Sequence, residues 1–129
     1  MINENITISD AEWLIMKALW HDDKATEEGF SLKEINEAVS AEGWGYTTVR
    51  TMVGRLVEKG ALRADKSHRG SFLYYPAVSE EKCAKAEVRS LVDRIFDGSA
   101  RLMVSSLVED KGLTEEEQQT LLALIEKME

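Results

Sequence analysis

The strongest constraint on the fold of this chain is a helical pattern at residues 45–60 that is followed at once by two short β-type runs. The sequence there is GYTTVRTMVGRLVEKG, and its last residue, Gly60, stands where a glycine commonly ends a helix. Apolar residues at helical spacing predict one buried stripe, formed by Val49, Met52, Val53, Leu56 and Val57. The remaining surface carries threonines and arginines, which suit contacts to phosphates and base edges. On this stretch alone, an ordinary amphipathic helix with a polar outer face is an equal alternative.

The segment after this helix favours a nucleic-acid contact. Residues 61–64 and 72–75 are short runs typical of strands, and the turn KSHRGS joins them. Helix, strand, basic turn and return strand together predict a winged helix-turn-helix, a mainly α fold with a small β-wing. Residues 45–75 include six basic and two acidic residues, a local net charge of +4 in a chain of net charge −8. Because this positive charge is localised, it indicates a surface for nucleic acid.

Length and composition exclude several classes of protein. The 129 residues suffice for one domain, or for a small domain with an appendage. No run of eighteen apolar residues and no signal peptide occurs, so we expect a cytoplasmic protein without a membrane span. Cys83 is the only cysteine, which excludes an internal disulfide, and we expect neither a metal site nor a cofactor. The sequence shows no paired carboxylates in a plausible cleft, no nucleophile with its base and no phosphate-binding glycine loop, so we expect no enzyme activity.

Two capping boxes predict two helices before the central one. The box SDAE begins a helix at residues 9 to about 20, and SLKE begins another at residues 31 to about 42, with a polar loop at 21–29 between them. The second helix would cross the DNA backbone while the third enters the major groove. Gly54, inside the third helix, costs about 0.5–1 kcal/mol relative to alanine, and either close packing or close approach to DNA would explain it. The residues expected inward on the first two helices are Ala11, Leu14, Ile15, Ala18, Leu19, Leu32, Ile35, Ala38 and Val39.

Three further helices are predicted after Pro76, at residues 79–97, at 99–110 and after the capping box TEEE at 114–117. Three short helices rarely bury this much apolar surface alone, so either the winged domain or a second copy must cover it. We favour a second copy, because a dimer doubles the readout of base pairs. The predicted division is a winged-helix domain at 1–78 and a helical dimerisation domain at 79–129. The residues expected in the dimer interface are Val88, Leu91, Val92, Ile95, Phe96, Leu102, Met103, Leu107, Leu121, Leu122 and Ile125.

Several motifs in this chain resemble the penicillinase repressor family, which includes the methicillin-resistance regulators and the copper-transport repressors. They are SDAEW and MKALW in the first helix, Trp44 and TVRT around the start of the third, RLVEKG at its end, and YYP in the wing. The resemblance extends from about residue 8 to the C-terminus. It implies a dimeric winged-helix repressor on a palindromic operator, often with TACA/TGTA half-sites, and would fit control of an antibiotic-resistance or stress operon.

Three departures from the family pattern qualify what the resemblance implies. The cysteine-rich C-terminal motif of the copper-responsive members is absent, which disfavours copper sensing. Relatives often begin the recognition helix with Ser-Pro-Lys, where this chain has Gly45-Tyr46-Thr47 and so lacks a phosphate-binding lysine. The antibiotic-responsive repressors are cut at an Asn-Phe bond, and the matching pair here is Ser106-Leu107. The Asn-Phe cleavage chemistry is therefore not carried over, but the resemblance still implies a protease or sensor protein as a candidate partner for induction. We expect that cutting this segment derepresses.

The resulting hypothesis is a homodimeric transcriptional repressor that needs no metal or cofactor and binds double-stranded operator DNA. Thr48, Arg50 and Thr51 are expected at base edges and nearby phosphates, and Thr47 and Arg55 at the DNA backbone. The wing is expected to reach an adjacent phosphate or the minor groove. The alternative is a winged-helix protein-interaction module without sequence-specific DNA binding, which would fit the acidic balance of the chain. The residues expected to contact DNA are Thr47, Thr48, Arg50, Thr51, Arg55, Lys66, His68 and Arg69.

Overall fold

The computed structural model describes residues 7–67, 70–110 and 112–128, and in these residues helices predominate over a small two-stranded sheet. The prediction of a mainly α fold with a β-wing is confirmed. The elements in chain order are α1 (Asp10–Trp20), α2 (Asp23–Glu27), α3 (Leu32–Ala38), a 3₁₀ turn (Ser40–Glu42), α4 (Tyr46–Glu58), β1 (Leu62–Asp65), β2 (Leu73–Pro76), α5 (Glu80–Ile95), α6 (Ala100–Glu109) and α7 (Glu115–Met128).

Both capping boxes predicted before the central helix are present. The Ser9 hydroxyl accepts a hydrogen bond from the Glu12 amide at 3.2 Å, and the Glu12 carboxylate accepts one from the Ser9 amide at 2.9 Å. Ser31 and Glu34 form the same reciprocal pair ahead of α3, at 3.1 Å in both directions. These contacts satisfy backbone donors that a helix start otherwise leaves unpaired.

The segment between α1 and α3 is not a plain loop, and the prediction of one at residues 21–29 is wrong. It contains the five-residue helix α2, which the Asp22 carboxylate caps by accepting hydrogen bonds from the amides of Lys24 and Ala25 at 2.9 and 3.2 Å. Ala25 is fully buried in the hydrophobic core. The Asp22 cap and the burial of the Ala25 methyl group stabilise α2, which the polar composition of the segment did not indicate.

Two further expectations about the first helices are wrong. The helix that begins at Ser31 ends at Ala38 rather than near residue 42, because a 3₁₀ turn follows and closes on Gly43 at φ +75°. Ala38 is exposed, and so is Leu14, although both were expected inward. Leu14 lies outside the core because other positions one turn apart form the buried face of α1. These positions are Glu12, Ile15, Met16 and Leu19.

The core lies where α1, α3 and α4 pack together beside the wing. Its most completely buried large side chains are Ile15, Met16, Leu19, Ile35, Val49, Val53 and Leu56. In the wing, β1 and β2 pair antiparallel with Arg63 opposite Tyr75, within one residue of the predicted runs. Phe30 extends this pairing through an isolated bridge to Tyr74 in β2. The wing is thereby tied to the segment just before α3.

The chain separates into two compact units, Met1–Ala86 and Glu87–Glu129. Val78 and Cys83, at the start of α5, belong to the core of the first unit. In the second unit α6 packs on α7. The boundary expected between residues 78 and 79 stays a prediction. Among the described helices, none is both long and apolar enough to span a lipid bilayer.

Candidate nucleic-acid interface

α4 buries one side and exposes the other. Val49, Met52, Val53 and Leu56 lie in the core, as expected, while Val57 is half-buried. All the residues of α4 that were expected to contact DNA are exposed, and we call them the outer face of α4: Thr47, Thr48, Arg50, Thr51 and Arg55. The helical pattern thus holds a surface of hydroxyl and guanidinium groups away from the core.

The charges of the outer face are not neutralised by their described neighbours. Within residues 7–67, 70–110 and 112–128, neither Arg50 nor Arg55 forms a salt bridge. The Thr51 hydroxyl donates a hydrogen bond to the Thr47 carbonyl at 3.0 Å. The oxygen lone pairs and the methyl group of Thr51 therefore remain available for an outside contact.

The first turn of α4 differs from those of α1 and α3 because no side chain caps it. Gly45 occupies the N-cap with extended backbone and contributes no side-chain hydrogen bond. The backbone N–H groups of the first turn can therefore donate hydrogen bonds to an anion. Gly54 is exposed, and a Cβ built there would meet no described atom within 4 Å. Close packing within the chain does not explain this glycine.

The base of the wing is fixed by one aromatic ring. The guanidinium of Arg63 lies over the ring of its cross-strand partner Tyr75, with 4.4 Å from Cζ to the ring centroid. The Tyr75 hydroxyl donates a hydrogen bond to the Glu28 carbonyl at 2.9 Å. The same ring lies against Gly29, where a Cβ would come within 2.8 Å of it. The wing is thereby held against the end of α2.

At the described part of the wing tip, Lys66 lies over the exposed ring of Phe72, with 5.3 Å from Nζ to the ring centroid. The amide and hydroxyl of Ser67 donate to the Asp65 carboxylate at 2.9 and 2.6 Å. Of the wing residues expected to contact DNA, Lys66 is therefore placed on the exposed tip. His68 and Arg69 lie outside the described residues.

Three exposed residues lie near the expected contacts but were not named among them: Tyr46, Arg63 and Phe72. Tyr46 is the first residue of α4 and is half exposed. Burial raises the pKa of Tyr74, with Tyr46 adding to the rise and Arg50 opposing it, so these side chains share one environment. The signal for Tyr46 was its place directly after the N-cap glycine. Arg63 was counted in the basic patch of residues 45–75, and Phe72 was assigned to a predicted strand.

One basic residue of the local patch is directed inward. Lys59, the C-cap of α4, places its ammonium nitrogen 2.6 Å from Oε1 of Glu12 in α1. Burial raises the pKa of Glu12, but the hydrogen bonds from Lys59 and Ser9 outweigh it and leave the pKa below its usual value. Lys59 therefore belongs to the support of α4, not to its outer face.

Most residues expected in the dimer interface lie on the surface of the single chain. Phe96, Met103 and Leu121 are half-buried, Val92 is buried within the chain, and the side chain of Ile125 lies outside the described part. The cleft between α6 and α7 measures about 480 Å³ and is lined in part by Val104. The residues expected in the dimer interface that are exposed are Val88, Leu91, Ile95, Leu102, Leu107 and Leu122.

Comparison with known proteins finds sequence relatives over nearly the whole chain. A family model described as penicillinase repressor matches residues 8–127. The penicillinase repressor of Bacillus licheniformis is 33% identical over 121 residues, which are 93% of this chain and 90% of that protein. The methicillin resistance regulatory protein MecI of Staphylococcus aureus is 27% identical over 127 residues, 98% of this chain and 99% of that protein.

Among solved structures, the solution structure of the DNA binding domain of the repressor BlaI is 32% identical, with a TM-score of 0.51. The match covers 64% of this chain and 93% of that domain. The family match extends across both compact units. This chain belongs to the penicillinase repressor family and is a DNA-binding transcriptional repressor.

Proposed function

We propose that this repressor binds a palindromic operator as a homodimer, with one α4 in the major groove of each half-site. The observation that carries the proposal is the outer face of α4, which exposes threonines and arginines on the side of the helix away from the buried residues Val49, Val53 and Leu56. A helix supported in this way can enter the major groove without disturbing the core. The same geometry in both copies would explain a palindromic site.

The chemistry of each side chain assigns its role on the DNA. Arg50 has the planar fork of donors that matches the acceptors of guanine. Thr51, whose hydroxyl proton is engaged by Thr47, offers lone pairs to a base amino group and a methyl group to thymine. Thr48 lies beside Arg50 and Thr51. Thr47 and Arg55 would contact the DNA backbone. The uncapped first turn of α4 supports a phosphate contact at the same end.

The wing supplies contacts that do not depend on base sequence. Lys66, with His68 and Arg69, would reach an adjacent phosphate or the minor groove. Arg63 and Tyr46 join this set, because both are exposed and lie close to the wing or to the start of α4. Contacts of this kind position the protein on the duplex, and they make binding depend on salt.

The second unit would supply the dimer contact. Val88, Leu91 and Ile95 fall three and four residues apart on α5, which places them on one exposed apolar face. A second copy covering this face would link two α4 helices, so that the second half-site is bound at high effective concentration. A protease or sensor protein that disrupts the link, for instance at the exposed pair Ser106-Leu107, would release the operator. Binding to operator DNA would require the repressor to be in the cytoplasm.

The protein-interaction alternative is not favoured, because the family matched here consists of repressors and the matched domain structure is a DNA-binding domain. The experiment compares a duplex carrying TACA/TGTA half-sites in a palindrome with a scrambled duplex of the same composition, at several salt concentrations. We expect tighter binding to the palindrome and a steep salt dependence for both. Sedimentation of the free protein should show a dimer at micromolar concentration. Equal affinity for both duplexes, together with no sequence enriched from a random library, would overturn sequence-specific binding.

A further inference from the structure

A partly buried ion pair joins α1 to α4. Glu12 lies in the first turn of α1 and is only 2% exposed, and Lys59 caps the end of α4, 47 residues later. Their charged atoms are 2.6 Å apart, and the lysine side chain is one-third exposed. The same carboxylate oxygen, Oε1, also accepts a hydrogen bond from the Ser9 amide in the capping box, at 2.9 Å.

Stability alone does not account for this pair. Removing a carboxylate from water is costly, and an apolar pair of similar volume often stabilises a fold equally well or better. The second oxygen of Glu12, Oε2, is buried and has no hydrogen-bond partner among the described residues, which adds to the cost. Because an apolar pair could stabilise the fold as well, the presence of an ion pair at this place suggests a role in geometry.

The buried side chains of α4 make apolar contacts with the core. Val49, Val53 and Leu56 hold the helix through apolar packing, whose hydrophobic driving force is not directional. The ion pair is a directional contact at the end of the same helix, and the Lys59 amide continues the helical ladder to the Arg55 carbonyl at 2.9 Å. A shift of Lys59 would therefore carry Arg55 and the outer face with it.

We propose that Glu12 and Lys59 are positioning residues for DNA recognition, and that their ion pair sets the rotation and tilt at which the outer face of α4 meets the base edges. The inference rests on the proposed function, since it requires that α4 recognises bases. Small misplacement would weaken base contacts first, because they need defined geometry, while phosphate contacts tolerate it. The ion pair would thus affect the ratio of the affinities for operator and other DNA more than the affinity for DNA of any sequence.

The test is a charge-neutral double variant, Glu12→Gln with Lys59→Met. Glutamine keeps the acceptor of the capping box, and methionine keeps most of the apolar stem of lysine. The matched control is Glu81→Gln with Lys85→Met, which removes an exposed ion pair from α5 with the same change of charge. The probes are the duplex that the wild-type protein enriches from a random library and a scrambled duplex of equal composition. Affinity for each is measured beside the thermal unfolding midpoint.

We expect the ratio of the two affinities to fall by about fivefold or more in the double variant, the lower end of what one good base contact contributes, and to stay unchanged in the control. An unchanged ratio in the folded double variant would overturn the inference, as would an equal loss on both duplexes. If the double variant does not fold, Glu12→Gln alone is measured in the same way, and an undiminished ratio there overturns it. Failure of the wild-type protein to enrich any sequence would instead count against the proposed function.

Discussion

The indole nitrogen of Trp20 donates a hydrogen bond to the carbonyl oxygen of Val78 over 2.9 Å, joining residues 58 positions apart. The same indole packs edge-to-face on Trp13, with 5.5 Å between ring centroids. One residue further along, the His21 ring lies 2.9 Å from the Glu80 carboxylate. The end of α1 is therefore fastened to the segment that enters α5, within the first compact unit.

Replacing Trp20 by phenylalanine should destabilise the first unit by about 1–3 kcal/mol, because the buried Val78 carbonyl loses its donor. Trp13→Phe is the control, since its indole makes no side-chain hydrogen bond within the described chain. Chemical denaturation followed by circular dichroism measures both. Equal losses in the two variants would show that packing, and not the hydrogen bond, dominates at Trp20.

Alanine at Gly29 should destabilise the fold more than alanine at Gly43. Both glycines have positive φ, +81° and +75°, where a side chain costs about 1–2 kcal/mol. Only at Gly29 would the new Cβ meet the Tyr75 ring at 2.8 Å, whereas nothing lies within 4 Å of the corresponding position at Gly43. Unfolding free energies of the two variants give the comparison. Similar losses would contradict the packing of Tyr75 on the α2 end.

Arg50→Ala should weaken binding to the operator by about 1–3 kcal/mol while leaving binding to scrambled DNA nearly unchanged, because it removes a base contact. Lys66→Ala should weaken binding to all duplexes alike and reduce the salt slope by about one, because it removes a phosphate contact. Titrations at several salt concentrations separate the two patterns. Wild-type operator affinity in the Arg50 variant would remove α4 from the recognition surface.

Gly54→Ala should raise the free energy of unfolding by about 0.5–1 kcal/mol, since alanine is the better helix former and its Cβ meets open space. DNA binding should weaken at the same time, because Gly54 lies one turn beyond Arg50 and the added methyl group would obstruct approach of the DNA. Gln119→Ala, an exposed substitution in α7, is the control for binding. A variant that is more stable and binds as well as wild type would show that the glycine serves no contact.

The stabilisation from Glu12 should disappear in acid. Burial raises the pKa of Glu12, yet hydrogen bonds from Lys59 and Ser9 leave it below the usual value. A depressed pKa stabilises the fold above the unfolded pKa, about 4.3 for glutamate, and the contribution is lost as the pH falls through the folded pKa. The difference in unfolding free energy between wild type and Glu12→Gln should therefore be constant near neutral pH and shrink below about pH 4.3. Urea denaturation at a series of pH values tests this, and a difference that persists at about pH 2 would contradict it.

Most of the fold could be predicted from short-range patterns in the sequence. The boxes at Ser9 and Ser31 and the stripe through Val49 and Leu56 are short-range signals, and the helices they predict are confirmed. The helix α2 was missed because five residues are too few to show a helical period, although Asp22 was a readable N-cap. Leu14 was placed inward because a helical pattern with many apolar residues does not decide which side meets the core.

The exposed residues of the candidate site could be predicted where they depend on local patterns, in α4 and at the wing tip. Thr48, Arg50 and Arg55 follow from the polar face of a single periodic segment. The pairing of Lys59 with Glu12 and the packing of Tyr75 on Gly29 each join residues far apart in the chain, so spacing along the sequence gives no sign of them. From the sequence alone, Lys59 in the basic patch cannot be distinguished from a lysine that contacts DNA, because its partner Glu12 lies far away in the chain.

The outer face of α4 has a consequence for how such a repressor can diverge. Its arginines form no salt bridge in the part of the chain described here, and the side-chain hydrogen bond of Thr51 stays within the helix. Substitutions at these positions therefore leave the core, the capping boxes and the support from Glu12 intact. Gene duplicates of such a chain could acquire new target sequences through a handful of surface changes, while inheriting a scaffold that already folds.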